Sequence, residues 1–286
     1  VLCTGGFVLV IVVFCLYDGL TGMHTLRRIA ASLVPEQTDE MLTDIRAYPD
    51  HIALTWDGRK ISLVLEHEKD ALYIHAYEED GNELTLVSDE KRQICSPEET
   101  DFEQLYFQCY RKNDISYLAV SHNDIRWLFA ELEDGTYSYI TIWGKPDEII
   151  VAKKAFSGEW DSLFTNRGYI YNRTLPLLKK YIVFGSGPDT FMLQFPQNDY
   201  VARAALGWGF FSEILTKPHC MYLQIALQTG VLSLILFLVL PVSIWINNLK
   251  KSMKNRAATK EEEVMRSDRT IISGFLLIYL LAGLTN

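Results

Sequence analysis

The residues of this chain best suited to chemistry on an anion are three arginines and one histidine: Arg167 and Arg173 in the run Arg-Gly-Tyr-Ile-Tyr-Asn-Arg, Arg203, and His219 in Lys217-Pro218-His219. A guanidinium is a permanently charged fork that meets a phosphate through two parallel hydrogen bonds. Imidazole titrates near neutrality and is the usual general base for a hydroxyl nucleophile. On an ideal helix Arg167 and Arg173 diverge by about 120°, so they reach one anion only from a short helix or by wrapping their long arms around it. Each arginine taken alone has a plainer reading as a solvated helix face or a surface ion pair. A lone histidine is likewise more often structural. Position separates His219 from that background: it stands just before an apolar run, Tyr222 to Ile246, on which Gln224 and Gln228 share one helical face and must point into a bundle or cavity rather than lipid. Lys179 and Lys180 suit interfacial anchors that snorkel toward headgroups. The turn Gly185-Ser-Gly-Pro-Asp189 lacks the strand and the Gly-Lys-Ser/Thr of a nucleotide-binding loop. It reads as a helix cap followed by a proline stop, with Asp189 placed to orient a catalytic group.

The elements that must position these residues follow from where charge is missing. Residues 1–17, 221–247 and 271–286 carry none. A span needs about 20 apolar residues, so the middle segment suffices and the terminal two fall slightly short, which leads to the expectation of a fragment of a larger protein. Val1 is followed by neither a basic region nor a small-residue cleavage pattern, against a signal peptide. Residues 248–270 hold seven Lys/Arg against four acids, a short basic loop that stays cytoplasmic and leaves 18–220 outside. The expected fold is an α-helical polytopic membrane protein, a fragment with three spans, whose large extracytoplasmic loop contains an inserted antiparallel all-β domain. Its expected segments are a transmembrane helix at 1–17, an extracytoplasmic helical linker at 18–45, a β-rich insert at 46–152, a catalytic loop with helices at 153–220, a transmembrane helix at 221–247, a cytoplasmic loop at 248–270 and a transmembrane helix at 271–286.

The outer region divides by charge, with a net of −15 over 18–152 and +3 over 153–220. The first part opens on helical spacing (Leu26, Ile29, Ala30, Leu33) that Pro35 stops, then alternates apolar and polar residues from Ile52 onward, punctuated by Asp57-Gly58, Asp80-Gly81 and Asp134-Gly135. Asp-Gly pairs between strands spaced in this way predict antiparallel hairpins in a small sandwich or meander. Cys95 and Cys109 are the cysteine pair of this region, readable as a disulfide or as two separate thiols.

Arg167-Gly-Tyr-Ile-Tyr, Gly185-x-Gly-Pro-Asp-Thr-Phe191, Phe195-Pro-Gln-Asn-Asp199 and Lys217-Pro-His-Cys-Met-Tyr-Leu-Gln224, followed by Thr229-Gly-Val-Leu, together resemble the C-terminal half of the O-antigen ligase and polymerase superfamily over roughly 160–240. The resemblance leaves 46–150 outside. It departs at Cys220, where asparagine is common, and at Gln228, where many members carry glutamate. It implies an inverting, metal-independent glycosyltransferase that moves a glycan from a polyprenyl-pyrophosphate donor to a glycan or other envelope acceptor. Arg167 would bind the pyrophosphate with Arg173 and Arg203, His219 would deprotonate the acceptor hydroxyl, and Asp189 and Gln224 would support them. Membrane lipid is the expected environment, and no cofactor, metal or nucleic acid is expected. The reading from another class is a membrane-anchored sensor or structural envelope protein with an extracytoplasmic β ligand-binding domain.

Overall fold

The computed structural model describes residues 16, 19–20, 27, 30–35, 41–68, 71–89, 93–98, 100–102, 104–122, 124–254 and 260–284. Contacts divide the chain into two units, one of 37–152 with 196–214, the other of 1–36, 153–195 and 215–286.

The first unit is two antiparallel sheets. One runs in the order β1 (Leu42–Ala47), β2 (Ile52–Trp56), β3 (Arg59–Glu68), β4 (Ala71–Glu78). The other comprises β5 (Leu86–Asp89), β6 (Ile94–Pro97), β7 (Leu105–Lys112), β8 (Ile115–His122), β9 (Ile125–Glu131), β10 (Tyr137–Ile140) and β11 (Pro146–Asp147), each beside its chain neighbour. Turn chemistry explains the meander. Asp57 and Gly58 both take positive φ, 46° and 78°, which matches the twist of the strands they join. Asn113 and Asp114 do the same between β7 and β8, at 52° and 62°.

Alternation then fills one core from both sheets: Ile45, Leu54, Trp56, Ile61 and Leu63 face inward from the first, Phe107, Leu118, Val120, Trp127 and Phe129 from the second. The Leu65 N–H donates to Tyr137 Oη at 3.0 Å across the two sheets. Residues 196–214 add Tyr200, Val201 and Phe211 to this core, with Phe211 edge-on to Trp127 at 5.1 Å and the Tyr200 hydroxyl donating to Asp147 at 2.7 Å. Cys95 and Cys109 are free thiols. Burial, with Cys109 nearby, pushes the Cys95 thiol up to about 11.

The second unit is helical: α1 (Leu163–Leu177), α2 (Phe191–Gln194), α5 (Met221–Thr229), α6 (Val231–Lys254) and α7 (Lys260–Ala282), with α3 (Tyr200–Ala204) and α4 (Trp208–Ser212) belonging to the β unit. The expectation of an α-helical polytopic membrane protein with three spans is corrected here. Eleven strands in two antiparallel sheets form a large part of the described chain. Among the described residues one helix, Val231–Lys251, is long and apolar enough to cross a membrane. The run 221–247 is broken at Gly230, so its apolar span starts at Val231. Residues 271–282 of the run 271–286 are the tail of α7, whose first half bears Glu261, Glu262, Glu263, Arg266, Asp268 and Arg269. What remains is well short of about 20 apolar residues. The expected span at 1–17 lies outside the described residues apart from Leu16. Part of the stretch expected to be a helical linker, from Leu42 on, is β1.

Candidate functional site

Helix α1 is where sequence and geometry meet. Its first turn is irregular: Phe164, Thr165 and Asn166 take left-handed φ of 54°, 60° and 66°, and regular helix begins at Arg167. The helix is held by an unusually polar buried face. Asn172, fully buried, accepts at Oδ1 from the N–H groups of Ala155 and Phe156, both at 2.8 Å, and donates from Nδ2 to Asp161 Oδ1 at 2.8 Å. Pro176 has no N–H to give the Asn172 carbonyl one turn earlier. The Ala155 N–H supplies that bond instead, at 3.0 Å. The α-helix passes Pro176 by one residue, to Leu177, and the chain continues through a 3-10 turn, Leu178–Lys180.

Arg173, 1% exposed, belongs to the same buried face. Its Nη1 donates to Asp161 Oδ2 at 2.5 Å and its guanidinium lies 4.2 Å over the Tyr169 ring. Arg203 is equally buried and sits in the β unit, where it donates to the carbonyls of Gln197, at 2.5 Å, and of Phe210 and Glu213. The guanidinium groups of these two arginines are thus engaged in holding local structure. Arg167 is only half-buried.

Arg167 and Tyr171 lie one turn apart on α1, on the same face of the helix, with the Arg167 charge close enough to act on the phenol. The Tyr171 hydroxyl in turn lies 3.0 Å from the His219 carbonyl and 2.9 Å from the Leu284 carbonyl. Burial, with Cys220 adjacent, raises the Tyr171 phenol above its ordinary value, while Arg167 pulls the other way. The phenol is therefore a neutral donor and acceptor at physiological pH. Tyr171 thus stands between Arg167, one turn before it on α1, and the backbone carbonyl of His219, a placement its motif position alone did not reveal. Its helical spacing from Arg167 is the signal that could have found it.

His219 is half-buried and has a left-handed φ of 50°. The extended Cys220 then caps α5, and the Met221 N–H donates to the Gly283 carbonyl at 2.8 Å. Gln224 sits half-buried within α5. Asp189 lies exposed on its turn with φ of 55°.

The break between α5 and α6 would orphan backbone groups beside the apolar helix. Residues 181–187 satisfy them. The N–H groups of Ser186 and Gly187 donate to the carbonyls of Leu227 and Gln228 at 2.8 and 3.1 Å, and those of Val231 and Leu232 donate to Tyr181 and Ile182 at 3.0 Å. The Gly185-to-Asp189 turn is thus a cap, but for α5 rather than for the helix before it. Gly230 has φ of 105°, and a Cβ there would lie 2.5 Å from the Val183 carbonyl oxygen. Among the described residues no group of three or more His, Cys, Asp or Glu is arranged to hold a metal ion.

A family model described as O-antigen ligase matches residues 113–238. The match contains Arg167, Arg173, Asp189, Arg203, His219 and Gln224 and agrees with the superfamily resemblance of the motifs. It starts at the β7–β8 turn, so β8 to β11 fall within it, although 46–150 was expected to lie outside the resemblance. No curated protein and no solved structure matches the chain.

Proposed function

We propose that the protein is a glycosyltransferase of the O-antigen ligase and polymerase type, moving a glycan from a polyprenyl-pyrophosphate donor to an acceptor hydroxyl at the outer face of the cytoplasmic membrane. The observation that carries this reading is the Tyr171 hydroxyl, 3.0 Å from the His219 carbonyl and one helical turn from Arg167, within a segment that matches the O-antigen ligase family. The helix Val231–Lys251 provides the means of holding such a site against a membrane that contains the donor.

In the proposed reaction the acceptor oxygen attacks the anomeric carbon and the bond to the pyrophosphate breaks with its electron pair. Negative charge grows on the leaving group, where a fixed guanidinium lowers the barrier most. Arg167 takes that role because its guanidinium is only half-buried, whereas those of Arg173 and Arg203 are buried against Asp161 and backbone carbonyls. His219 removes the acceptor proton as the new bond forms. Tyr171 ties the backbone carrying the base to the side chain that meets the leaving group, which fixes their separation. Metal takes no part in this scheme.

The test is transfer from a defined lipid-linked donor by purified protein. Arg167→Ala should lower turnover by about 10²–10³. Arg167→Lys should recover little, because an ammonium lacks the planar fork. A chelator should leave the rate unchanged. Near-normal turnover by Arg167→Ala removes the arginine from the mechanism.

A further inference from the structure

The β unit contains a cleft of about 160 Å³ that the transfer chemistry leaves unused. We propose that this cleft binds a single sugar ring of an uncharged or weakly charged glycan. Its lining combines Trp208 and Asp124, both exposed, with His122 and Trp127, both buried. The arrangement suits the two-sided character of a saccharide, whose C–H face packs on an aromatic ring while its hydroxyls donate to a carboxylate.

Trp208 is presented by a stiff support. Phe211 lies 5.8 Å from it and 5.1 Å from Trp127, a tilted and an edge-on contact that run back to the sheet core. Arg203 ties the carbonyls of Gln197, Phe210 and Glu213 to one guanidinium, which fixes the segment bearing Trp208. An aromatic platform held this way loses little freedom on binding. Charge narrows the ligand. Residues 18–152 carry a net of −15, so a phosphate or a polyanion is repelled while a neutral polyhydroxyl compound is not. The lining contributed by β8, β9 and 201–208 falls inside the segment that matches the O-antigen ligase family, whereas Leu42 of β1 lies outside it. The choice of a glycan as ligand rests on the proposed transfer function, but binding here is a separate property and is read without turnover.

The experiment is saturation-transfer NMR on the full chain in detergent with methyl glycosides of glucose, galactose, N-acetylglucosamine and rhamnose at millimolar concentration. At least one should receive saturation. Trp208→Ala should weaken that binding about tenfold, the size of one aromatic contact. Trp208→Phe should keep most of it. His219→Ala should leave binding intact, which separates failure of this inference from failure of the transfer mechanism. Saturation of none of the four glycosides, or equal binding by Trp208→Ala, overturns the proposal. Should Trp208→Ala not fold, equal binding by Asp124→Asn overturns it and weakened binding supports it.

Discussion

Tyr171 is the residue on which the proposed mechanism turns without its touching a reacting atom. Its hydroxyl meets Arg167 on one side and lies within hydrogen-bond distance of the His219 carbonyl on the other. Tyr171→Phe keeps the ring and deletes the hydroxyl's contacts with Arg167 and with the His219 and Leu284 carbonyls, and a bond to a charged group contributes about 1.5–3 kcal/mol. Steady-state kinetics should show kcat falling by roughly ten- to a hundredfold, with little change in KM for the donor. A wild-type kcat for this variant makes Tyr171 a packing residue. Arg173 should respond differently. Removing it strands Asp161 among buried groups, and breaking such a pair costs about 3–5 kcal/mol, so Arg173→Ala should show as lost folded protein in thermal unfolding before any kinetic effect is read. Sequence alone favoured a solvated or phosphate-bound Arg173, because arginine is rarely buried unless paired and its partner Asp161 comes from outside the helix.

At the scale of elements, local rules predicted most of the β unit and tertiary contacts decided the rest. The Asp57-Gly58 turn and the alternation of β2, β3, β7, β8 and β9 were readable because each needs only its own residues. Strand β1 was not, since a register shift between Leu42 and Asp44 puts Leu42 and Ile45, three residues apart, on the core side and mimics the helical spacing upstream. The break at Gly230 was hidden for the opposite reason: hydropathy runs across a glycine unchanged, and only the hydrogen bonds from 181–187 show where α5 stops. Helix α1 depends on close backbone approach, for a Cβ at Gly168 would lie 1.8 Å from the Trp160 carbonyl oxygen. Gly168→Ala should therefore destabilise the helical unit by about 1–3 kcal/mol, as overpacking does. On β4, His75 lies between two carboxylates, Nδ1 at 2.6 Å from Glu83 and Nε2 at 2.6 Å from Glu66. The Glu83 bond, partly offset by desolvation and reinforced by Glu66, raises the imidazole above its ordinary 6.5. The stabilisation from a raised histidine is complete below the unfolded value and is lost as pH climbs through the folded one. Thermal unfolding of the β unit should accordingly show a stabilisation at pH 6 that is smaller at pH 8, and His75→Gln should reduce that difference. An unchanged pH dependence in His75→Gln contradicts the assignment.

For the whole molecule, pairing of distant segments is what sequence reading missed. Residues 196–214 pack with strands far earlier in the chain, and the two apolar runs that lie within the described residues, 221–247 and 271–286 as far as Leu284, give one qualifying helix. The proposed outer placement of 18–220 is tested in whole cells. A cysteine introduced at Asp80 should react with an impermeant thiol reagent in whole cells, and one at Ala258, in the basic 248–270 segment, should not. Labelling of the Ala258 site alone reverses the orientation. The central claim, that His219 takes the acceptor proton in a transfer whose leaving charge Arg167 receives, is tested most directly by single-turnover transfer from a lipid-linked donor using purified, membrane-inserted His219→Ala. The rate should fall by about 10²–10⁴, the loss expected of a general base, with donor binding retained. A rate near that of the unaltered protein would contradict it and return His219 to a structural role.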